Sequence, residues 1–135
     1  MSQGDLGTMK PINTPTGMYW TGWVISGLVA AAMAMSGAMK FSGSPQIVQM
    51  FEHLGWPPKL VLAMGILELT VTVLYSIPPT SVLGAILLTG YLGGAIATHV
   101  RLGEPFFVQA GIGVLVWLGL FLRDARIREL IPLRR

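Results

Sequence analysis

Hydrophobic residues fall into four long runs along this chain, and the segments between the runs hold most of its polar residues. The runs cover residues 18–39, 60–77, 82–98 and 105–122. Each is long enough, or nearly so, to cross the hydrocarbon core of a bilayer as a helix. The pattern predicts an all-α fold: one integral membrane four-helix bundle over residues 18–135, preceded by a flexible polar tail at 1–17.

The segment between the first two runs has a different pattern. Ser44 followed by Pro45 is typical of a helix start, and Gly55 is typical of a helix end. One helical face between them is apolar and holds Ile47, Met50, Phe51 and Leu54. The other face is polar and holds Gln46, Gln49, Glu52 and His53. This predicts a short interfacial helix in the first outer loop, with Trp56 as its anchor at the membrane surface.

The turns after the second and third runs are only a few residues long, so consecutive spans are expected to be antiparallel neighbours. Within the third run, Gly90 lies four residues before Gly94, and Gly93 lies four residues before Ala97. Pairs of small residues at this spacing let two helix backbones approach closely in lipid. We therefore predict that these four residues pack helices together.

Composition narrows the classes of function. Only 11% of the residues are charged and 53% are hydrophobic, which suits a surface that mostly faces lipid. The net charge of +3 is concentrated at the C-terminus, which favours an anionic leaflet over a nucleic acid as a partner. Because the chain has no cysteine, it forms no disulfide, thiolate metal site or iron–sulfur cluster of its own. A redox role would require a bound cofactor or a partner subunit.

The distribution of lysine and arginine predicts the orientation of the spans. One side of the membrane would hold Lys10, Arg123, Arg126, Arg128, Arg134 and Arg135. The other side would hold Lys40, Lys59 and Arg101. The richer side is expected in the cytoplasm, with both termini. The basic C-tail also places Ile127, Leu130 and Ile131 on one face, which predicts an amphipathic segment along the inner leaflet.

Glu68 is the one charged residue in the middle of a run, where an unpaired carboxylate costs several kcal/mol. Tyr91 on the next, antiparallel span is expected at the same depth. One interpretation is a structural Glu68–Tyr91 hydrogen bond, and a second is a Glu68 that exchanges protons or binds a ligand. A third is a Glu68 that points elsewhere, for instance to another subunit. Lys40 and Arg101 are expected about 12 Å nearer the outer surface. We therefore expect Glu68 to be neutral at pH 7.

Further polar residues are expected at the outer ends of the spans, where antiparallel packing would gather Lys40, His99, Arg101 and Gln109. With Glu68 and Tyr91 below them, they form a candidate polar site for an anionic or quinone-like headgroup. The alternative is that Lys40 and Arg101 extend to lipid phosphates and that His99 only caps its helix. No metal site is predicted, because His53 and His99 are far apart and lack metal-ligand spacing. Catalytic residues cannot be assigned.

Three segments resemble the DoxX-like proteins: Ser36–Phe41, Gly65–Glu68 and, most specifically, Thr89–Arg101. The resemblance extends over about residues 19–133. It implies four transmembrane helices in a bacterial inner membrane, and it maps the polar pattern of the family onto Lys40, Glu68, His99 and Arg101. Some such proteins are linked to membrane electron transfer, including subunits of a thiosulfate:quinone oxidoreductase, whereas most have no assigned activity.

Three functions are consistent with these features. The first is an accessory or anchoring subunit of a quinone-linked membrane redox complex. The second is a binding protein or oxidoreductase that uses Glu68 and His99 on a quinone or a small lipophilic anion. The third is a small proton-coupled carrier. We predict no intrinsic cofactor, with a quinone as the candidate ligand. The expected partners are the lipid bilayer and either another membrane protein or further copies of the chain, with no nucleic acid.

The topology is directly testable. Reporter fusions at Arg135 should be active on the cytoplasmic side, and reporters inserted within residues 42–44 should be active on the outer side, because the charge split and the even number of spans require it. A C-terminal reporter that is active only outside would contradict the predicted orientation.

Overall fold

The computed structural model describes residues 14–131, and these form helices and turns without a strand. The predicted all-α fold is confirmed. The helices are α1 (Thr16–Met39), α2 (Pro45–His53), α3 (Val61–Ser76), α4 (Ser81–Arg101), α5 (Phe107–Arg123) and α6 (Ala125–Leu130). Short 3-10 turns at Pro58–Leu60 and Pro78–Thr80 lead into α3 and α4. Most of the predicted N-terminal tail lies outside the described residues, and α1 begins two residues earlier than the predicted span.

The boundaries of α2 follow from local chemistry. The hydroxyl oxygen of Ser44 accepts a hydrogen bond from the Gln46 N–H, and Pro45 begins the helix where a missing N–H costs nothing. Gly55 follows the helix with a φ of 82°, a left-handed conformation that glycine adopts without steric cost. Phe51 is buried, and Glu52 is exposed on the other side. The predicted amphipathic helix is therefore present.

Helices α1, α3, α4 and α5 form a ring in which each helix packs against two antiparallel neighbours. Apolar side chains fill the centre of the ring, among them Met33, Val71, Leu88, Val116 and Leu120. Large apolar side chains also cover its outside, including Leu28, Ile66, Ile86 and Val108. Helices that are apolar on every side are typical of membrane spans. By length and composition, three helices could cross a membrane, and the 17-residue α5 is a shorter apolar helix near the lower limit.

The ring has two ends. The loop end carries α2, the end of α1, the start of α3, the end of α4 and the start of α5. The terminal end carries the start of α1, the Pro78–Thr80 turn, the end of α5 and α6.

Glycines set how closely the helices approach. A methyl group on Gly22 would lie 2.8 Å from the Gly119 carbonyl oxygen, so α1 and α5 are in backbone contact. Likewise, a methyl group on Gly84 would lie 2.2 Å from the backbone nitrogen of Tyr75. The predicted packing glycines behave differently, because methyl groups on Gly90, Gly93 and Gly94 would meet only open space.

The spacing correctly puts these glycines on one face of α4. That face points away from the ring, since Ala85, Leu88 and Leu92 occupy the side of α4 that is buried. Packing of Gly90, Gly93, Gly94 and Ala97 against another protein stays a prediction.

The C-terminal segment packs partly into the bundle. Ile127 belongs to the buried core, whereas Leu130 and Ile131 are exposed. The three residues therefore do not form one lipid-facing surface, because the break at Asp124 turns α6 back against the ring. The Asp124 carboxylate accepts the Arg126 backbone N–H and so caps α6. Burial raises the pKa of the Asp124 carboxyl, but hydrogen bonds from Arg126 outweigh it, and the pKa lies below its usual range.

Two glycines of α4 provide a matched test of this packing. Gly84→Ala should destabilise the protein by about 1–3 kcal/mol or more, because the added methyl group overlaps the backbone of α3. Gly90→Ala should be neutral or stabilising by up to about 1 kcal/mol, because the space is open and alanine favours helix. Unfolding in detergent measures both. Equal destabilisation by the two changes would contradict the packing described for α4.

Candidate functional site

The carboxylate of Glu68 lies inside the bundle, and the residue is 1% exposed. Its Oε2 accepts a hydrogen bond from Lys40 Nζ at 2.6 Å and another from the Tyr91 hydroxyl at 3.0 Å. Lys40 Nζ also donates to the hydroxyl and the backbone carbonyl of Ser36, at 3.1 and 3.3 Å. The hydrogen bond between Glu68 and Tyr91 that the sequence predicted is thus confirmed. The cluster joins α1, α3 and α4.

The sequence led us to expect a neutral Glu68 because no cation was expected at its depth. That premise is wrong. Lys40 and Glu68 form a salt bridge whose side chains are 8% and 2% exposed. Charge-assisted hydrogen bonds are shorter than neutral ones, and the 2.6 Å between Lys40 Nζ and Glu68 Oε2 is short. The cation that the sequence placed nearer the outer surface therefore lies beside the carboxyl group of Glu68.

The register of α1 against α3 explains the error. Lys40 does not lie beside the start of α3; its Cβ would be 3.0 Å from a methyl group on Gly65. Gly65 precedes Glu68 by three residues, or about 4.5 Å of helical rise. Side chains also lean toward the N-terminus of their own helix. In antiparallel helices, Lys40 therefore leans into the bundle and Glu68 leans toward the loop end, so the two side chains converge.

The cluster is almost fully satisfied, which matters because burying two charges is expensive unless they are paired and hydrogen-bonded. Glu68 has two donors on its Oε2, and Lys40 has three acceptors around its ammonium. Removing one partner would leave the other charge buried without compensation. The arrangement consequently fixes one register of α1, α3 and α4, and it also provides a short hydrogen-bonded path from Lys40 through Glu68 to Tyr91.

The other residues of the predicted polar site lie outside this cluster. His99 Nδ1 is 2.8 Å from the Ala95 carbonyl oxygen of its own helix. Arg101 does not extend only toward lipid, because its guanidinium donates to the Leu54 carbonyl oxygen at the end of α2. Gln109 is half-buried, and its Oε1 has no hydrogen-bond partner within residues 14–131. The structure thus brings together Lys40, Glu68 and Tyr91, and within residues 14–131 no hydrogen bond joins the outer residues to them.

Metal-ligating side chains do not cluster in the described part of the chain: no group of three His, Asp or Glu residues is close enough to hold an ion. At the loop end, His53 pairs with Glu104 instead. This contact ties α2 to the segment before α5.

A second polar cluster, which the sequence pattern did not predict, lies at the terminal end. The Tyr75 hydroxyl donates to the Val116 carbonyl oxygen at 2.7 Å and lies 3.1 Å from the Ser26 hydroxyl. Arg123 is buried beside it and donates to the Tyr75 carbonyl oxygen at 2.9 Å. Ser26 and Tyr75 are polar residues inside apolar runs, a signal that could have identified them. Arg123 gave no such signal, because an arginine that ends a span is usually exposed.

The ion pair can be tested with variants of Lys40. Lys40→Met should destabilise the protein by about 3–5 kcal/mol, because it leaves the Glu68 carboxylate buried without its cation. Lys40→Met combined with Glu68→Gln should recover most of this loss, since a neutral amide still accepts from Tyr91. Unfolding in detergent measures the cycle, and exposed Lys59→Met is the control, with an expected change within about 0.5 kcal/mol.

Infrared spectroscopy tests the charge separately. At neutral pH the wild type should show a carboxylate band that Glu68→Gln removes. A protonated-acid band removed by the same change would show that the pair is neutral.

A family model described as the DoxX-like family matches residues 24–121. No curated protein and no solved structure matches the chain significantly. The matched region includes Lys40, Glu68, Tyr91, His99 and Arg101, and it extends from within α1 to near the end of α5. The match covers well over half of the chain and agrees with its bundle of apolar helices, so the protein belongs to the DoxX-like family of membrane proteins.

Proposed function

We propose that this protein is an accessory subunit that anchors a quinone-linked redox complex in the membrane. The observation that carries the proposal is the outward face of α4. Gly90, Gly93 and Gly94 border open space, and Ala97 is exposed on the same face. We assign this face to a transmembrane helix of a partner subunit.

The chemistry of lipid-embedded surfaces supports that assignment. Between helices in lipid there is little hydrophobic driving force, so association depends on close backbone contact and on hydrogen bonds. Inside this bundle, the glycines at the closest approaches each lie against a backbone, as Gly22 does against Gly119. The α4 face also consists of small residues, but it lacks such a neighbour among the described residues. A helix with its own small residues would fit there closely.

The Glu68 cluster supports a structural role over a catalytic one. A quinone site or a proton-coupled carrier would use Glu68 as a group that a ligand or water can reach. Here the carboxylate is almost fully buried and is bonded to Lys40 and Tyr91. These contacts favour a cluster that holds the helices in register.

The redox character of the partner is suggested by the family resemblance, which links some DoxX-like proteins to membrane electron transfer. The chain has no cysteine, so it provides no thiolate for an electron-carrying centre. In the proposed complex, the redox cofactor and the quinone chemistry belong to the partner, and this chain provides a membrane anchor.

Purification from the native membrane in a mild detergent tests the proposal. The wild-type chain should retain a membrane protein in a fixed ratio, and the complex should reduce or oxidise a quinone. Gly94→Leu should lose that partner while its own helices stay folded, because the added side chain enters open space. Gly27→Leu is the matched control, since Gly27 on α1 is also exposed and also borders open space.

Retention of the partner by Gly94→Leu would show that α4 is not the contact face. A wild-type chain that purifies only with copies of itself would overturn the accessory-subunit proposal.

A further inference from the structure

An open pocket of about 570 Å³ lies at the terminal end of the bundle. Its lining includes Tyr19 and Trp23 of α1 and, from the end of α5 onward, Arg123, Asp124 and Arg126. The pocket is far along the helices from the Glu68 cluster and plays no part in the proposed partner contact on α4.

Arg123 is the unusual member of this pocket. It is a permanently charged side chain that is only 7% exposed. Its guanidinium carbon lies 4.3 Å from the centre of the Trp23 ring and 4.9 Å from that of Tyr75. One hydrogen bond joins its Nη2 to the Tyr75 carbonyl oxygen, and its buried Nε has no hydrogen-bond partner within residues 14–131.

The charges that line the pocket do not cancel. Among the described residues that line it, Asp124 is the one carboxylate, and it forms a salt bridge with Arg126 at 3.1 Å. Arg123 forms no salt bridge with any described residue. Contacts with aromatic faces offset only part of the cost of burying its charge. The described residues that line the pocket therefore carry a net charge of +1, from two arginines and one aspartate.

The backbone at Arg123 is closely packed against α1. A methyl group on Gly22 would lie 2.7 Å from the backbone nitrogen of Arg123, so α1 and α5 are in contact at this level. Gly119, one turn earlier, lies equally close to Ser26. The guanidinium itself is bonded to the Tyr75 carbonyl oxygen and lies against the Trp23 and Tyr75 rings, so it needs little ordering when a ligand binds, which lowers the entropic cost of binding.

The level of the pocket along the bundle indicates what the anion is attached to. Arg123 is the last residue of α5, and the pocket also touches Pro78 in the turn between α3 and α4. This is the end of the apolar spans, where lipid headgroups meet the protein. Tyr19 and Trp23 are residue types that favour this interfacial level.

We propose that this pocket binds a phosphate group carried by an anionic phospholipid. The Arg123 guanidinium contacts the phosphate oxygens, the Trp23 and Tyr19 rings contact the glycerol and upper acyl region, and Arg126 adds a second positive charge at the rim. No bond forms or breaks; the lipid is a bound structural ligand.

The test uses the full-length protein, stripped of lipid in an uncharged detergent. Phosphatidylglycerol, phosphatidylcholine or inorganic phosphate is added, and bound lipid is counted by native mass spectrometry while thermal unfolding is followed. Phosphatidylglycerol should remain bound and should raise the unfolding temperature by about 4 °C or more at saturation. The zwitterionic lipid and inorganic phosphate at equal concentration should do neither.

Variants locate the effect. Arg123→Gln should weaken phosphatidylglycerol binding about tenfold or more, because it removes the charged donors. Arg123→Lys keeps the charge but loses the planar fork, so its affinity should fall between those of the wild type and Arg123→Gln. Lys59→Gln removes an exposed charge at the loop end and should keep wild-type binding.

Several results would overturn the proposal. Equal binding of the two lipids would remove the preference for an anionic headgroup. Stabilisation by inorganic phosphate equal to that by phosphatidylglycerol would overturn the lipid as the source of the phosphate. An equal loss in Lys59→Gln would show that net charge, not the pocket, determines binding. If Arg123→Gln does not fold, Arg123→Lys takes its place in this decision. Wild-type affinity in Arg123→Lys, together with equal binding of the two lipids by the wild type, would then overturn the proposal.

Discussion

Close backbone contact between helices is the constraint on which the rest of this structure depends. Gly37 and Gly65 let α1 and α3 approach until the Lys40 side chain lies over Gly65, one turn from Glu68. Larger residues at these positions would separate the helices and leave a buried charge on each. Because lipid gives helices little hydrophobic reason to associate, the glycines and the ion pair they permit must hold the register together.

The same principle operates at the other end of the bundle. Gly22 and Gly119 bring α1 against α5, which places Ser26 beside Tyr75 and Trp23 beside Arg123. Helix α1 therefore takes part in both polar clusters, and α3 contributes to both through Glu68 and Tyr75. The bundle is fixed at two levels by buried hydrogen bonds, with apolar packing between them. The bundle is therefore held together without any contact at the outward glycines of α4.

Interior and surface consequently have different roles. In the interior, the Glu68 and Tyr75 clusters are hydrogen-bonded and keep one arrangement of helices. The surfaces that remain are the small-residue face of α4, suited to another helix, and the basic pocket beside Arg123, suited to a phosphate group. Both proposed contacts are with molecules of the membrane, a partner helix and a phospholipid. This division fits the proposed role of an anchoring subunit, in which the proposed partner would carry out the chemistry.

The sequence by itself determined the number and approximate limits of the apolar helices, the cap and stop of α2, and the family, because these depend on local pattern and composition. It also placed Glu68 level with Tyr91, since short turns make neighbouring helices antiparallel. It could not determine helix rotation or register. Rotation and register depend on which glycines of neighbouring helices meet. A shift of α1 by one turn against α3 would leave the Glu68 carboxyl group without Lys40. For the same reason only the tertiary structure decided that Gly90 and Gly94 face outward, and that Arg123 is buried against Trp23 and Tyr75 rather than extended to the membrane surface.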